Sequence, residues 1–210
     1  MRAKFLSIAV LAASSLAAQA QDALLAREQL YGQVLAHPLV FGVEPAFHAE
    51  RADGFYLMEW VPEGQSVEDW QQMQTITAHR AVGSNHGDDQ AASLGENIAV
   101  NFLNGYRDNC ATEVDALPLP ITGAHGARAA FAAYMGCSQV RGTDHAEEMV
   151  ILVMVGATDS YTLQWAERSP ARAAFDREDF SRWRPRIEAL TQAHLCTVPD
   201  GEEPPYPSCN

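Results

Sequence analysis

The sequence predicts an α+β fold, a largely antiparallel sheet covered by helices on both faces. Three stretches carry that expectation. Met149 to Val155 is an uninterrupted apolar run, too short for a typical helix and apolar on both sides of a strand, so its sheet must be covered twice. Beyond Gly156-Ala157-Thr158-Asp159-Ser160, Tyr161, Leu163 and Trp165 alternate, which makes the two runs a hairpin with a longer loop. Ala91, Leu94, Ile98, Phe102 and Tyr106 recur on one face of a helix that Asp88 can cap, which supplies one cover.

The remaining elements follow in order. From Asp22 to His37 the leucines and Val34 recur at mixed helical spacing, predicting a short amphipathic helix stopped by His37-Pro38. Phe55 to Val61 reads as a strand rich in aromatic and apolar residues, ended by Pro62-Glu63-Gly64. Ser66 with Asp69 resembles a capping box and predicts a short helix through Trp70, after which the chain returns as a strand from about Met73 to His79. Pro118 and Pro120 break the stretch after the central helix. Arg128 to Cys137 is alanine-rich and compatible with either state; it is read as a strand. A last helix presents Phe180, Trp183, Ile187, Leu190 and His194 on one face, with Asp176 as cap and Pro185 as a kink or restart. Gly201 to Cys209 holds Pro204, Pro205 and Pro207 and is expected to be an ordered loop.

The N-terminus has the features of a secretory leader. Arg2 and Lys4 precede an apolar run from Phe5 to Leu16, which closes on the small-x-small signal Ala18-Gln19-Ala20. Residues 1–20 are therefore expected to be a signal peptide, and residues 21–210 a single globular domain. A membrane span needs about 20 apolar residues, and no segment approaches that length. No membrane insertion is expected, and the protein should be periplasmic or secreted. The chain's formal net charge of −13 becomes −15 once Arg2 and Lys4 leave with the leader. So acidic a protein repels nucleic acid and anionic lipid, which excludes both as partners.

Cys110, Cys137, Cys196 and Cys209 all lie in the exported part, where thiols oxidise. Two disulfides are expected. Three connectivities exist, and pairing Cys110 with Cys137 and Cys196 with Cys209 closes the shortest loops. A Cys-based metal site lacks any Cys-x-x-Cys pair.

Signatures of common hydrolases and nucleotide-binding proteins are absent: there is no Gly-x-Ser-x-Gly and no Gly-x-x-x-x-Gly-Lys. His145-Ala146-Glu147-Glu148 starts like a zinc-protease motif, but Met149 stands where the second histidine would sit. Glu147 and Glu148 are neighbours on a strand, so they point to opposite faces and form no catalytic dyad. His79, His86, Asp88 and Asp89 are the densest polar cluster and offer imidazole and carboxylate ligands, although Asp88 and Asp89 are equally explained by a helix N-terminus. His125, between Gly123 and Gly126, reads as projecting from a solvated turn. Trp60, Trp70, Trp165 and Trp183 fall on core stripes.

The stretch Trp60-Val61-Pro62-Glu63-Gly64-Gln65-Ser66-Val67-Glu68-Asp69-Trp70-Gln71-Gln72-Met73-Gln74-Thr75 resembles a pattern of uncharacterised small exported bacterial proteins: a strand, a Pro-x-Gly turn, a tryptophan, then Met-x-Thr. The order of the other elements is similar to the PsbP-like α/β/α sandwich of photosystem accessory subunits and bacterial envelope proteins. That resemblance implies a protein that binds or stabilises partners rather than catalyses, with no binding residue to carry over. The expected function is that of an exported, soluble, non-catalytic binding or accessory protein of the cell envelope, with a protein or small-molecule partner and no cofactor. The alternatives are a metal-assisted enzyme using His79, His86, Asp88 and Asp89, or an inhibitor or immunity protein against an extracytoplasmic toxin or hydrolase.

Overall fold

The computed structural model describes residues 25–84, 86–123, 125–174 and 177–209. The expected leader and Asp176 lie outside them. Within them the chain runs β1 (Leu25–Leu30), β2 (Gln33–Pro38), β3 (Phe47–Glu50), β4 (Phe55–Trp60), β5 (Gln72–His79), α1 (Asp88–Asn109), β6 (Val114–Leu119), β7 (Ala129–Cys137), β8 (His145–Val155) and β9 (Ser160–Pro170). A 3-10 turn (Arg177–Trp183), α2 (Arg184–Leu190) and β10 (His194–Cys196) complete it.

Two meanders make the main sheet. β3-β4-β5 and β6-β7-β8-β9 join where β5 pairs with β9, giving the antiparallel order β3-β4-β5-β9-β8-β7-β6. β8 and β9 sit near the middle, and Met149 to Val155 are buried on both faces, as their unbroken apolar character requires. Pro118 falls in β6, an edge strand, where a missing amide donor breaks no ladder.

One face packs under α1. Ala133, Met135, Met149, Ile151 and Val153 cluster with Ala99, Ile98, Phe102 and Tyr106 of the helix, and Met73 and Ala166 extend that cluster beyond the helix. Small residues at Ala91, Gly95 and Ala99 let the helix axis approach the sheet. A methyl added at Gly95 meets the Phe131 Cβ at 3.5 Å and Val155 Cγ2 at 3.7 Å, ordinary contact distances. Gly95→Ala is thus expected to raise stability by about 0.5–1 kcal/mol, read as a higher urea midpoint at unchanged slope. A lower midpoint would mean that the helix is already seated against its limit.

The opposite face corrects the expected architecture. It is covered by α2 and by a second sheet, β1-β2-β10, so the protein is predominantly β and is not an α/β/α sandwich with helices on both sides. The predicted helix from Asp22 to His37 is instead the hairpin β1-β2 from Leu25 onward. All six residues of β2 are buried: Leu35 faces the main sheet, while Val34 and Ala36 pack against Tyr206 and Cys209 of the tail. A strand buries successive residues on two sides; a surface helix buries one stripe. Pro185 does restart the last helix, since α2 begins at Arg184 after the 3-10 turn. His194 has left the helical stripe and pairs with Ala36 in β10.

The disulfides join Cys110 to Cys137, linking the end of α1 to the end of β7, and Cys196 to Cys209, anchoring the tail to β10. Arg27 Nε donates to the Cys209 carbonyl at 2.7 Å, and Tyr206 Oη to Gln29 Oε1 at 3.1 Å, so the tail also closes onto β1. Asp159, in the β8–β9 loop, accepts amides from Gly32 at 3.2 Å and Ala81 at 2.7 Å and pins three turns together. No helix among the described residues is long and apolar enough to cross a membrane.

Candidate ligand-binding cleft

The helix α1 lies over β6, β7 and β8 and leaves a hollow beside it above β4, β5 and β9, at whose floor Met73, Thr75, Thr77, Gln164 and Ala166 are themselves largely buried. An open cleft of about 730 Å³ results. Its floor follows from strand alternation: Tyr56, Met58 and Trp60 of β4 turn into the core, so Leu57 and Glu59 turn to the cleft. By the same alternation β5 contributes Met73, Thr75 and Thr77, and β9 contributes Gln164, Ala166 and Arg168. Glu59 pairs with Thr75, and Thr75 with Gln164, so these three form one polar row across adjacent strands.

A loop closes one side. Ser66 and Asp69 exchange backbone hydrogen bonds at 3.2 Å, and the Asp69 amide also donates to Ser66 Oγ at 3.2 Å. This is a tight turn, not the helix predicted through Trp70; the Gln71 amide finds its acceptor in the Gln65 side chain at 2.6 Å rather than in a helical carbonyl. The Arg168 amide donates to the Gln71 carbonyl at 2.8 Å and holds the loop to β9. The Arg168 guanidinium lies 3.9 Å from the Trp70 ring centroid, and its Nε donates to Glu147 Oε2 at 3.0 Å. Tyr106 of α1 donates to Glu147 Oε1 at 3.3 Å. Burial, and then the Glu147 charge, push the Tyr106 phenol well up, so it remains a donor.

Glu59 differs from Glu147. No described residue donates to or pairs with its carboxylate, and burial pushes its carboxyl above the usual range. Gln164 Nε2 donates to Thr162 Oγ1 at 3.0 Å, which leaves Oε1 as an acceptor. Gly105 stands on α1 at the cleft, and a Cβ there would meet nothing within 4 Å. No histidine is among the described residues lining the cleft.

The sequence-predicted cluster is not brought together as a ligand set. Asp88 pairs with Arg128 at 2.7 Å, His86 Nδ1 lies 3.1 Å from the Val82 carbonyl, and His79 packs on Phe55 with ring centroids 4.9 Å apart. Asp88 and Asp89 occupy the first turn of α1 behind the N-cap Gly87, where they oppose the helix dipole. Among the described residues, the metal-capable trio within 4.8 Å is His194, Cys196 and Cys209, and both of its sulfurs belong to a disulfide. His125 is not a solvated turn: its Nδ1 lies 3.0 Å from the Ala193 carbonyl, and its carbonyl accepts the Leu195 amide at 2.8 Å.

Glu147 and Glu148 do face opposite ways. Glu148 is buried on the far face, directly across from Glu167 of β9. Arg182 bridges both carboxylates, Arg172 pairs with Glu148, and Arg186 pairs with Glu167. Tyr134 Oη donates to Glu148 Oε1 at 2.5 Å. Three arginines against two acids make a closed structural brace between the sheet and the C-terminal helical segment.

Trp70 is a core residue, as its stripe predicts, and also walls the cleft, whereas Glu59, Gln164 and Arg168 do not stand out in the sequence. The available signal was that Thr75, Thr77, Glu59 and Gln164 alternate with apolar residues on strands otherwise destined for burial. No protein-family model matches the chain, and no curated protein is similar to it.

Proposed function

We propose that this is an exported binding protein, periplasmic or secreted, that holds a small amphipathic molecule between α1 and the β4-β5-β9 floor. The carrying observation is the cleft itself. Its volume falls within the range of small-molecule sites, and it sets Trp70, Met73 and Phe102 beside the polar row Glu59, Thr75 and Gln164. Gly105 adds support, because a helix-interior glycine weakens α1 by about 1 kcal/mol relative to alanine and here leaves the mouth clear. The leader-like N-terminus and the two disulfides support action outside the cytoplasm.

The test is titration with the neutral fluorophore N-phenyl-1-naphthylamine. Saturable enhancement with a Kd on the order of micromolar is expected for a ligand of that size. Gly105→Trp, which fills the cleft from α1, should weaken it at least ~10-fold while the melting temperature holds or rises. Unsaturable enhancement, or equal binding by Gly105→Trp, would remove the cleft as the site.

A further inference from the structure

We infer that the cleft selects a small organic cation, with its apolar body on Trp70, Met73 and Phe102 and its charged nitrogen against Glu59. The inference rests on the cleft being the binding site and goes on to name the ligand's chemistry.

Three charged side chains line the cleft: Glu59, Glu147 and Arg168. Two of them neutralise each other. Arg168 is bonded to Glu147 and stacked on Trp70, so it has little to offer an anion, and Glu147 already accepts from Arg168 and Tyr106. Glu59 is left as the uncompensated charge, half-buried, without a partner among the described residues. A carboxylate in that position is desolvated without compensation until a cation arrives. Its row adds a further acceptor, since Gln164 donates one amide N–H to Thr162 and keeps its side-chain oxygen as an acceptor. The aromatic face of Phe102 also favours a positive charge near it, while the Trp70 ring already carries Arg168. Finally, the protein's net charge of −13 draws cations toward it from solution.

The experiment compares dansylcadaverine, which carries a primary ammonium on a dansyl-pentyl body, with its N-acetyl derivative, which is the same body without the charge. At pH 7 the cationic probe is expected to bind ~10-fold tighter than the acetylated one. Glu59→Gln should bring that ratio close to one, with folding verified by thermal melting. Glu63→Gln removes an equal charge from the exposed turn after β4 and should leave the ratio as in the parent protein. Equal binding of the two probes by the parent protein would overturn the cation preference while leaving the cleft intact as a site. A ratio that survives Glu59→Gln, or falls equally with Glu63→Gln, would overturn Glu59 as its source. Failure of both probes to bind would remove the cleft reading itself.

Discussion

Replacing Arg182 with methionine is expected to destabilise the protein by about 3–5 kcal/mol, the range for removing one partner of a buried ion pair. Glu148 and Glu167 face each other across β8 and β9, both buried, and Arg182 alone bridges the two among the ion pairs described. Without it, two like charges on adjacent strands keep Arg172 and Arg186 as counter-ions, one apiece among the described ion pairs. In a chain of this size the loss corresponds to a melting point lower by roughly 10 °C. Urea denaturation at pH 7 measures it. Adding Glu148→Gln to Arg182→Met should recover about 1 kcal/mol or more, because it removes the repulsion that the first change exposed. A single variant within 1 kcal/mol of the parent would show that Arg172 and Arg186 suffice and that the bridge adds little.

Acid should weaken the fold through His37, by about 3 kcal/mol. The ring is fully buried, 5.3 Å from the Trp60 ring centroid, with Nδ1 3.2 Å from the Pro38 carbonyl oxygen. Nε2 has no hydrogen-bond partner. Burial lowers its pKa from 6.5 to about 4, against a smaller opposing pull from the Pro38 carbonyl. The folded state therefore binds this proton more weakly than the unfolded chain does. The stability it confers is complete above about pH 6.5, falls as the pH drops toward about 4, and changes no further once both states are protonated. His37→Gln keeps a hydrogen-bonding side chain and removes the titration. The difference in unfolding free energy between pH 7 and pH 4 should shrink by about 3 kcal/mol in that variant. Parallel pH profiles for the two proteins would assign the acid sensitivity elsewhere.

The elements legible in the sequence are those whose pattern matches their surroundings. β8 is apolar throughout because it is covered twice, β9 alternates because one of its faces lines the cleft, and α1 carries a stripe because it rests on a sheet. The β1-β2 hairpin was hidden for local reasons. Leu25 to Leu30 are mostly good helix formers, and the turn places Tyr31, not Gly32, at positive φ (59°). That conformation is held from outside the segment. Tyr31 Oη donates to the Gly54 carbonyl at 2.9 Å, and Arg80 lies 4.4 Å from its ring centroid. The second cover was misassigned for the same reason, since β1-β2 is most of the small sheet. The cleft was illegible because it depends on what α1 fails to cover, and helix placement over a seven-stranded sheet is set by long-range packing. Glu59, an ordinary strand glutamate in sequence, becomes conspicuous only when its missing partner can be seen.

The ladder between β2 and β10 has a bearing on how the chain acquires its shape. Contacts such as Arg27 with Cys209 span 182 positions. Each meander of the main sheet is assembled from sequence neighbours, as is the β1-β2 hairpin, whereas the second edge of β2 finds its partner only in the final stretch of polypeptide. Until then that edge of the β1-β2 hairpin stays available for wrong pairings. Delivery of the C-terminal strand, rather than any event in the middle of the chain, completes the small sheet.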